Sequence, residues 1–142
     1  MKIMAVDYGD TRTGLAACDR TETLASPLGI LEEKSMAKAA EKIVYACREI
    51  EAGMLVLGLP LNMDGSEGPR AAKTRKLGGI LEKIVDIPLV YWDERNTTKG
   101  AQRLLTESGT FGKKRKETLD AVAAVVILES YLAYRRNQSS CS

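Results

Sequence analysis

The first apolar run of the sequence ends in an aspartate, and a glycine-rich turn follows at once. Residues 3–6 are predicted to form a buried strand. Residues 14–18 form a second strand that returns antiparallel to it, which makes residues 9–13 the loop of a hairpin. Asp7 is then held by rigid backbone at a strand end, where a carboxylate beside glycines can bind a metal ion or face a phosphate. Asp7 could equally accept hydrogen bonds from backbone N–H groups of the turn.

The rest of the chain alternates between helical and extended patterns. Pro27 makes the third strand irregular or places it at a sheet edge, Ser35 is expected to cap the first helix, and Gly53 to end it. The further predicted elements are a third strand over residues 23–30, strands over 54–58 and 88–92, a helix over 68–85 between them, a short helix capped by Asn96 or Thr97, a basic loop over 109–116 and a closing helix over 118–136. This order predicts an α/β fold with a mixed sheet and helices on both faces.

Length and composition narrow the classes of function. The 142 residues suit one domain, expected over residues 1–138 with a flexible tail at 139–142. The sequence has no histidine, which excludes histidine bases and histidine zinc ligands. Its three cysteines are far apart and are expected to be reduced thiols of a cytoplasmic protein. We expect no membrane segment, because the longest apolar run, residues 121–128, is too short to span a bilayer.

Two further carboxylates lie where they could join Asp7. Glu94 follows the strand over 88–92, and if that strand runs parallel to the first, both acids emerge at one edge of the sheet. Asp120 is nearly the only polar side chain at the start of an otherwise apolar helix. Each has a simpler explanation: Glu94 or Asp93 could pair with Arg95, and an acid in the first turn of a helix favours the helix dipole.

Three carboxylates at one edge would repel one another and raise each other's pKa, and a divalent cation would relieve that repulsion. Hard carboxylate oxygens suit Mg²⁺ or Mn²⁺, and the absence of histidine and of paired cysteines disfavours zinc. Two cations bridged by Asp7 can activate water and stabilise the leaving 3′-oxygen in phosphodiester hydrolysis. The sequence therefore predicts a site for two Mg²⁺ or Mn²⁺ ions.

Four segments together resemble a known family. They are VDYGDTRTGLA at residues 6–16, GLPLNMDGS at 58–66, DERNTT at 93–98 and LDAVAA at 119–124. Their order and spread over nearly the whole chain resemble the YqgF family of the ribonuclease H-like superfold, relatives of the RuvC-type Holliday junction resolvases. The resemblance implies a ribonuclease H-like five-stranded mixed sheet and a nuclease site in which Asp7, Glu94 and Asp120 are both catalytic residues and metal ligands.

The resemblance also implies a substrate, and the sequence departs from the familiar pattern at two places. The implied role is maturation of the 5′ end of 16S ribosomal RNA, beside the older assignment as a junction resolvase in DNA recombination and repair. Asn96 stands where Leu usually precedes the Thr pair. Gly58 stands where ribonuclease H and RuvC-type enzymes carry an acid at the end of the central strand, so Glu94 must replace that acid from another strand.

Groups around the acids could bind nucleic acid. The glycines of residues 58–68 and the following helix N-terminus could admit a phosphate. The residues expected to contact sugar or phosphate are Gly9, Thr11, Arg12, Asn62, Ser66, Arg70 and Arg95. Ser66 could instead be the N-cap of that helix, and charge runs such as residues 113–116 are usually only solvated. Phe111 could stack on a base. The sequence leaves open whether Asp64 or Asp93 contributes to the metal site.

Two other classes compete with the nuclease. The pattern Asp7-x-Gly9-x-Thr11 is similar to the first phosphate loop of the sugar kinase, Hsp70 and actin group, but a chain of this size has no room for the second lobe that ATP binding requires. The other alternative is a non-catalytic RNA-binding or ribosome-assembly module. The sequence allows a monomer or a homodimer, and a dimer would suit a resolvase that makes two symmetric cuts.

Overall fold

The structure is a computed structural model that describes the backbone of residues 1–96 and 113–140 and the side chains of residues 1–96 and 121–138. Its elements are β1 (Ile3–Asp7), β2 (Arg12–Cys18), β3 (Ala25–Glu32), α1 (Met36–Ile50), β4 (Met54–Leu59), α2 (Pro69–Ile84), β5 (Leu89–Asp93), a 3₁₀ turn (Glu94–Asn96) and α3 (Lys113–Ser140).

The five strands form one mixed sheet in the order β3-β2-β1-β4-β5. β1, β4 and β5 are parallel, whereas β2 runs antiparallel to both of its neighbours, β1 and β3. This arrangement agrees with the predicted opening hairpin and the two helix–strand alternations. Because β1, β4 and β5 are parallel, their carboxyl ends lie at the same edge of the sheet, which we call the carboxyl edge.

Helices cover both faces of the sheet, as the sequence predicts. Met4 and Val6 of β1 pack with residues of α1 and α2. Ile3 and Ala5, which point to the other face, pack with residues of α3. Both faces being covered explains why β1 and β4 are apolar at every interior position rather than alternating.

The start of α1 and the position of β3 agree with the sequence prediction, whereas the end of α1 does not. The Ser35 side chain accepts a hydrogen bond from the backbone N–H of Lys38, as expected of an N-cap. The helix ends differently: Glu51, not Gly53, takes the left-handed conformation, at φ 57°. Gly53 instead donates its backbone N–H to the carbonyl of Lys2 at 2.8 Å. The third strand is at the sheet edge, as Pro27 predicts, and its pairing shifts register opposite Leu15 and Ala16.

The closing helix differs most from the prediction. It begins at Lys113 rather than near residue 118, so the backbone of the basic residues 113–116 is helical and not a loop, and it continues to Ser140. It also buries only one face, because Val122, Ala123, Val125 and Val126 remain partly exposed. The predicted short helix after Asn96 and the lone Phe111 lie outside the described residues. Within the described residues, no helix has the length and apolar character needed to cross a membrane.

Candidate active site at the carboxyl edge

Strand register brings three positions of the carboxyl edge into one row. Val6 pairs with Leu57, so Asp7, the last residue of β1, lies beside Gly58 of β4, and Gly58 pairs with Trp92 of β5. Side chains alternate along a strand, which puts Asp7 on the same face as Ile3 and Ala5, the face covered by α3. The end of β1 therefore presents a carboxylate under α3.

Glu94 lies in the 3₁₀ turn that follows β5, and its carboxyl group makes a side-chain hydrogen bond with Asp7. Gly58 is what makes this contact possible. A Cβ atom at position 58 would lie 3.1 Å from Glu94 Oε1 and 2.5 Å from Ile127 Cδ1. Glu94 thus occupies the space that a side chain at position 58 of β4 would fill.

The environment of Glu94 changes its acidity. Burial raises the pKa of the Glu94 carboxyl above its usual range, and the charge of Asp93 acts in the same direction. The hydrogen bond with Asp7 and the positive charge of Arg70 oppose the increase. The neighbouring Asp93 behaves in the opposite way, because hydrogen bonds from Arg95 lower its pKa. The two consecutive acids thus differ in environment, because Glu94 contacts Asp7 whereas Asp93 is paired with Arg95.

The turn that carries Glu94 is fixed at both ends. On one side, Arg95 Nη2 donates to Asp93 Oδ2 at 2.7 Å, and Arg95 Nη1 donates to the carbonyl of Met63 at 3.3 Å. On the other side, Trp92 Nε1 donates to Ser130 Oγ at 3.0 Å. Ser130 Oγ in turn donates to the carbonyl of Asn96 at 3.1 Å.

This arrangement changes the interpretation of Arg95. The ion pair that the sequence allowed for Asp93 or Glu94 forms with Asp93, and it occupies the guanidinium that we expected to contact phosphate. The structure also adds Met63 and Ser130, which the sequence analysis did not identify. Nothing in the sequence marks Ser130, a single hydroxyl at the end of an apolar segment.

The loop between β4 and α2 has its own network of hydrogen bonds. Asn62 Nδ2 donates to Ser66 Oγ at 2.9 Å, and Ser66 Oγ donates to Asp64 Oδ1 at 2.6 Å. Ser66 is therefore not the N-cap of α2; that position is Gly68, and no side chain caps the helix. Asp64 is engaged within the loop. The uncapped helix end leaves the first N–H groups of α2 available near Arg70.

The hairpin loop after Asp7 contributes one basic side chain, Arg12, at the start of β2. Gly9 packs so tightly against the carbonyl of Arg12 that no Cβ fits there. The backbone carbonyl of Thr11 accepts the N–H of Glu33 at 3.0 Å. Arg12 Nε lies 3.8 Å from Glu32 Oε1, but its Nη1 is buried and has no hydrogen-bond partner among the residues that the structure describes. A buried unpaired guanidinium nitrogen is costly, and an anion reaching it would remove that cost.

The direction of α3 bears on Asp120, whose side chain lies outside the described part of the chain. Ile127 lies against Gly58 near the carboxyl edge, whereas the Tyr131 hydroxyl donates to Met54 Sδ, at the start of β4, at 3.3 Å. The helix therefore runs antiparallel to β4. Position 120 precedes Ile127 by seven residues, so its backbone lies about 10 Å further toward the carboxyl side.

The donor atoms that the structure brings together fit a hard divalent cation. Asp7 and Glu94 supply only carboxylate oxygens, the ligands that Mg²⁺ and Mn²⁺ prefer. In the described ranges, 1–96 and 121–138, no three acidic, cysteine or histidine side chains form a cluster that could hold a metal. The structure thus brings together Asp7 and Glu94, two of the three residues predicted to be ligands, and does not describe the side chain of the third, Asp120.

Comparison with known proteins decides the family. A family model described as "RuvX: Holliday junction resolvase" matches residues 1–134. The chain belongs to this family. It is 42% identical to a relative from Halothermothrix orenii over 135 residues, covering 95% of the chain and 96% of the relative. It is 40% identical to a relative from Syntrophomonas wolfei over 132 residues, covering 93% and 94%. Both relatives carry the name "Putative pre-16S rRNA nuclease".

Solved structures place the fold. The RuvC of T. thermophilus in complex with a Holliday junction substrate superposes with a TM-score of 0.70 at 13% identity, covering 97% of this chain and 96% of RuvC. The fowlpox virus resolvase in complex with Holliday junction DNA gives a TM-score of 0.58 at 12% identity, covering 94% and 98%. These structures confirm the ribonuclease H-like fold that the sequence motifs implied, and the family model and the relatives confirm the family.

Proposed function

We propose that this protein is a metal-dependent nuclease that hydrolyses phosphodiester bonds and processes the 5′ end of the 16S ribosomal RNA precursor. The observation that carries the proposal is the contact between Asp7 and Glu94 above Gly58. Two ionised carboxylates in contact repel each other, so holding them together is costly unless a cation or a shared proton lies between them. Membership of a resolvase family agrees with a nuclease.

Asp7, Glu94 and Asp120 would hold one or two Mg²⁺ or Mn²⁺ ions. When bound, the ions supply an activated water and stabilise the charge that develops on the leaving oxygen. The chain contributes the geometry. Asp7 is fixed by β1, and the turn of Glu94 is held by the contacts of Arg95 and Asn96, the two residues that follow it.

Basic groups near the acids would orient the substrate. Arg70 is close enough to Glu94 to lower its pKa, so a phosphate at the acids lies within its reach. Arg12, whose side chain is partly exposed, would bind a phosphate oxygen through its guanidinium group. Gly9, Thr11, Asn62 and Ser66 would line the same edge, and Arg95 would act through the turn that it holds rather than through phosphate.

The substrate follows from the relatives. Curated relatives about 40% identical over nearly the whole chain carry the name of a pre-16S rRNA nuclease, which favours RNA. The family description favours a second candidate, a Holliday junction resolvase acting in DNA recombination and repair. A non-catalytic RNA-binding or ribosome-assembly role is the third, and it would leave the Asp7–Glu94 contact without a chemical purpose.

The cellular setting is part of the proposal. We place the protein in the cytoplasm, where precursor ribosomal RNA is found, as a monomer or a homodimer. Cys18 and Cys47 are buried free thiols, and burial raises the pKa of Cys47 to about 11. Such thiols are poorly reactive, in keeping with a compartment that keeps them reduced.

The test is cleavage of labelled substrates with Mn²⁺ or Mg²⁺ by the wild type, Asp7→Asn and Asp86→Asn. Asp86 is an exposed acid between α2 and β5, away from the carboxyl edge, and is the matched control. The panel holds a 16S precursor 5′-leader RNA, other single-stranded RNA and DNA, and a four-way DNA junction. Leader RNA cut by the wild type and by Asp86→Asn but not by Asp7→Asn supports the proposal. Symmetric cutting of the junction alone supports the resolvase, and binding without any cutting supports the assembly module.

A further inference from the structure

One apolar side chain stands almost fully in solvent beside the candidate active site. The Met63 side chain is 93% exposed, more than any other large apolar residue of the part of the chain that the structure describes; the next, Leu24, is 66% exposed. Single exposed apolar residues are common on protein surfaces. The position of Met63 and the structure of its loop are what make it informative.

The loop that carries Met63 is rigid rather than extended into solvent by chance. Gly65 donates its backbone N–H to the carbonyl of Asn62 at 2.9 Å, which closes a β-turn with Met63 at its second position. The backbone N–H of Asn62 donates to the carbonyl of Ser66 at 2.9 Å. Asp64 Oδ1 accepts from both the backbone N–H and the hydroxyl of Ser66, at 2.9 and 2.6 Å. The turn therefore holds Met63 in a defined place.

That place is fixed relative to the acids. Arg95 Nη1 donates to the carbonyl of Met63 at 3.3 Å, and the same guanidinium binds Asp93. Glu94 lies between Asp93 and Arg95 in sequence and contacts Asp7. One arginine thus joins the backbone of the loop to the turn that carries an acid of the site.

We propose that Met63 packs against an unstacked base of the substrate strand, next to the phosphate that is cut. This rests on the proposed function, since it takes the strand to be at Asp7 and Glu94. Methionine suits the task, because its unbranched and polarisable side chain adapts to surfaces of different shape. Apolar side chains of other nucleic-acid-binding proteins insert between base steps, and contacts with base faces tolerate any sequence.

The proposal specifies the substrate class. A base can reach Met63 only if it is not stacked within a regular helix, so the strand is single-stranded at the cut. An RNA precursor in single-stranded form at its 5′ leader meets this requirement, whereas a continuous RNA duplex does not. Met63 would then select for an unpaired nucleotide without selecting which base it carries.

The test is a binding experiment that does not depend on cleavage. Fluorescein-labelled single-stranded 16S leader RNA is titrated in EDTA with the wild type, Met63→Ala, Met63→Leu and Leu24→Ala. Leu24 is the matched control, an exposed apolar residue in the turn before β3, at the other end of the sheet. A second series of the same RNA lacks the base of one nucleotide at a time, and a third probe is the fully paired duplex.

We expect Met63→Ala to weaken binding of the single strand about 5- to 10-fold, the effect of losing one partly buried apolar contact. Met63→Leu and Leu24→Ala should bind within about twofold of the wild type. At one nucleotide, removal of the base should weaken binding by the wild type but not by Met63→Ala, since each change removes the same contact. The duplex should be bound equally by the wild type and Met63→Ala.

Two results would overturn the proposal. One is an affinity of Met63→Ala equal to that of the wild type for the single strand. The other is that each base removal changes the affinity of the wild type and of Met63→Ala by the same factor. The proposed nuclease activity fails separately: if the base contact is found but no substrate is cut in Mn²⁺, Met63 binds a base in a protein that is not a nuclease.

Discussion

Gly58→Ala tests whether the space at Gly58 is what allows Glu94 to reach Asp7. The added Cβ would lie 2.5 Å from Ile127 Cδ1, closer than side-chain atoms pack, and 3.1 Å from Glu94 Oε1. Overpacking of this kind costs about 1–3 kcal/mol, and the less flexible unfolded chain returns about 0.4–1 kcal/mol. We expect Gly58→Ala to lower the free energy of unfolding by about 1–2 kcal/mol.

A second substitution separates the two contacts. Ile127→Val removes the Cδ1 atom and by itself costs about 0.5–1.5 kcal/mol. In the double variant the 2.5 Å contact with Ile127 Cδ1 is removed and only the 3.2 Å contact with Cγ1 remains, so the loss of stability should be smaller than the sum of the two single losses by about 1 kcal/mol. The added Cβ still presses on the Glu94 carboxylate in the double variant. Because this displaces the carboxylate, the cleavage rate should be about tenfold lower than that of the wild type in both Gly58→Ala and the double variant.

The assay is urea unfolding followed by the fluorescence of Trp92, the only tryptophan in the sequence, together with cleavage rates in Mn²⁺. Gly79→Ala is the control, because a Cβ at position 79 of α2 meets no atom within 4 Å. It should raise stability by about 0.5–1 kcal/mol and leave cleavage unchanged. If Gly58→Ala is as stable as the wild type, or if the two losses simply add, the described packing of the site is wrong.

Two further predictions concern the supports of the fold. Ser130→Ala should destabilise the protein by about 1–3 kcal/mol, because it leaves Trp92 Nε1 without an acceptor, which urea unfolding measures. It should also lower the cleavage rate, because it frees the carbonyl of Asn96, and an unchanged rate would contradict this expectation. Glu22→Gln should cost about 1 kcal/mol at pH 7, because Arg135 donates to Glu22 at 2.6 Å. This bond lowers the pKa of Glu22, so its stabilisation is present above the ordinary value of 4.5 and disappears as the pH falls below it; a difference between the two proteins that does not shrink in acid would contradict this.

Much of the fold could be predicted because local sequence and long-range packing agree. The apolar stripe of α1 with its Ser35 cap, the apolar run of β4 and the proline of β3 each carry a local signal that the final sheet preserves. The exception at the end of α1 has a long-range cause. Gly53 was expected to end α1, but a hydrogen bond to Lys2, far away in sequence, determines its place.

The sequence predicted that Asp7 and Glu94 lie at one edge of the sheet, but it did not predict the contacts that hold the turn of Glu94. Asp7 and Glu94 stand out because each follows an apolar strand, and parallel strands bring their ends together. The contacts that hold Glu94 in place join residues that are more than 30 positions apart, Arg95 with Met63 and Ser130 with Asn96. No periodicity or spacing in one sequence encodes such pairs, so only the structure reveals them.

The central claim is that Glu94, from the end of β5, serves as an acid of the catalytic site in place of one on β4. The most direct test is the rate of 16S leader RNA cleavage in Mn²⁺ by the wild type, Glu94→Gln and Asp86→Asn. Glutamine keeps the size of Glu94 and removes its charge, so the rate should fall at least about 100-fold in Glu94→Gln and stay at the wild-type value in Asp86→Asn. Cleavage by a folded Glu94→Gln protein at the wild-type rate would contradict the account.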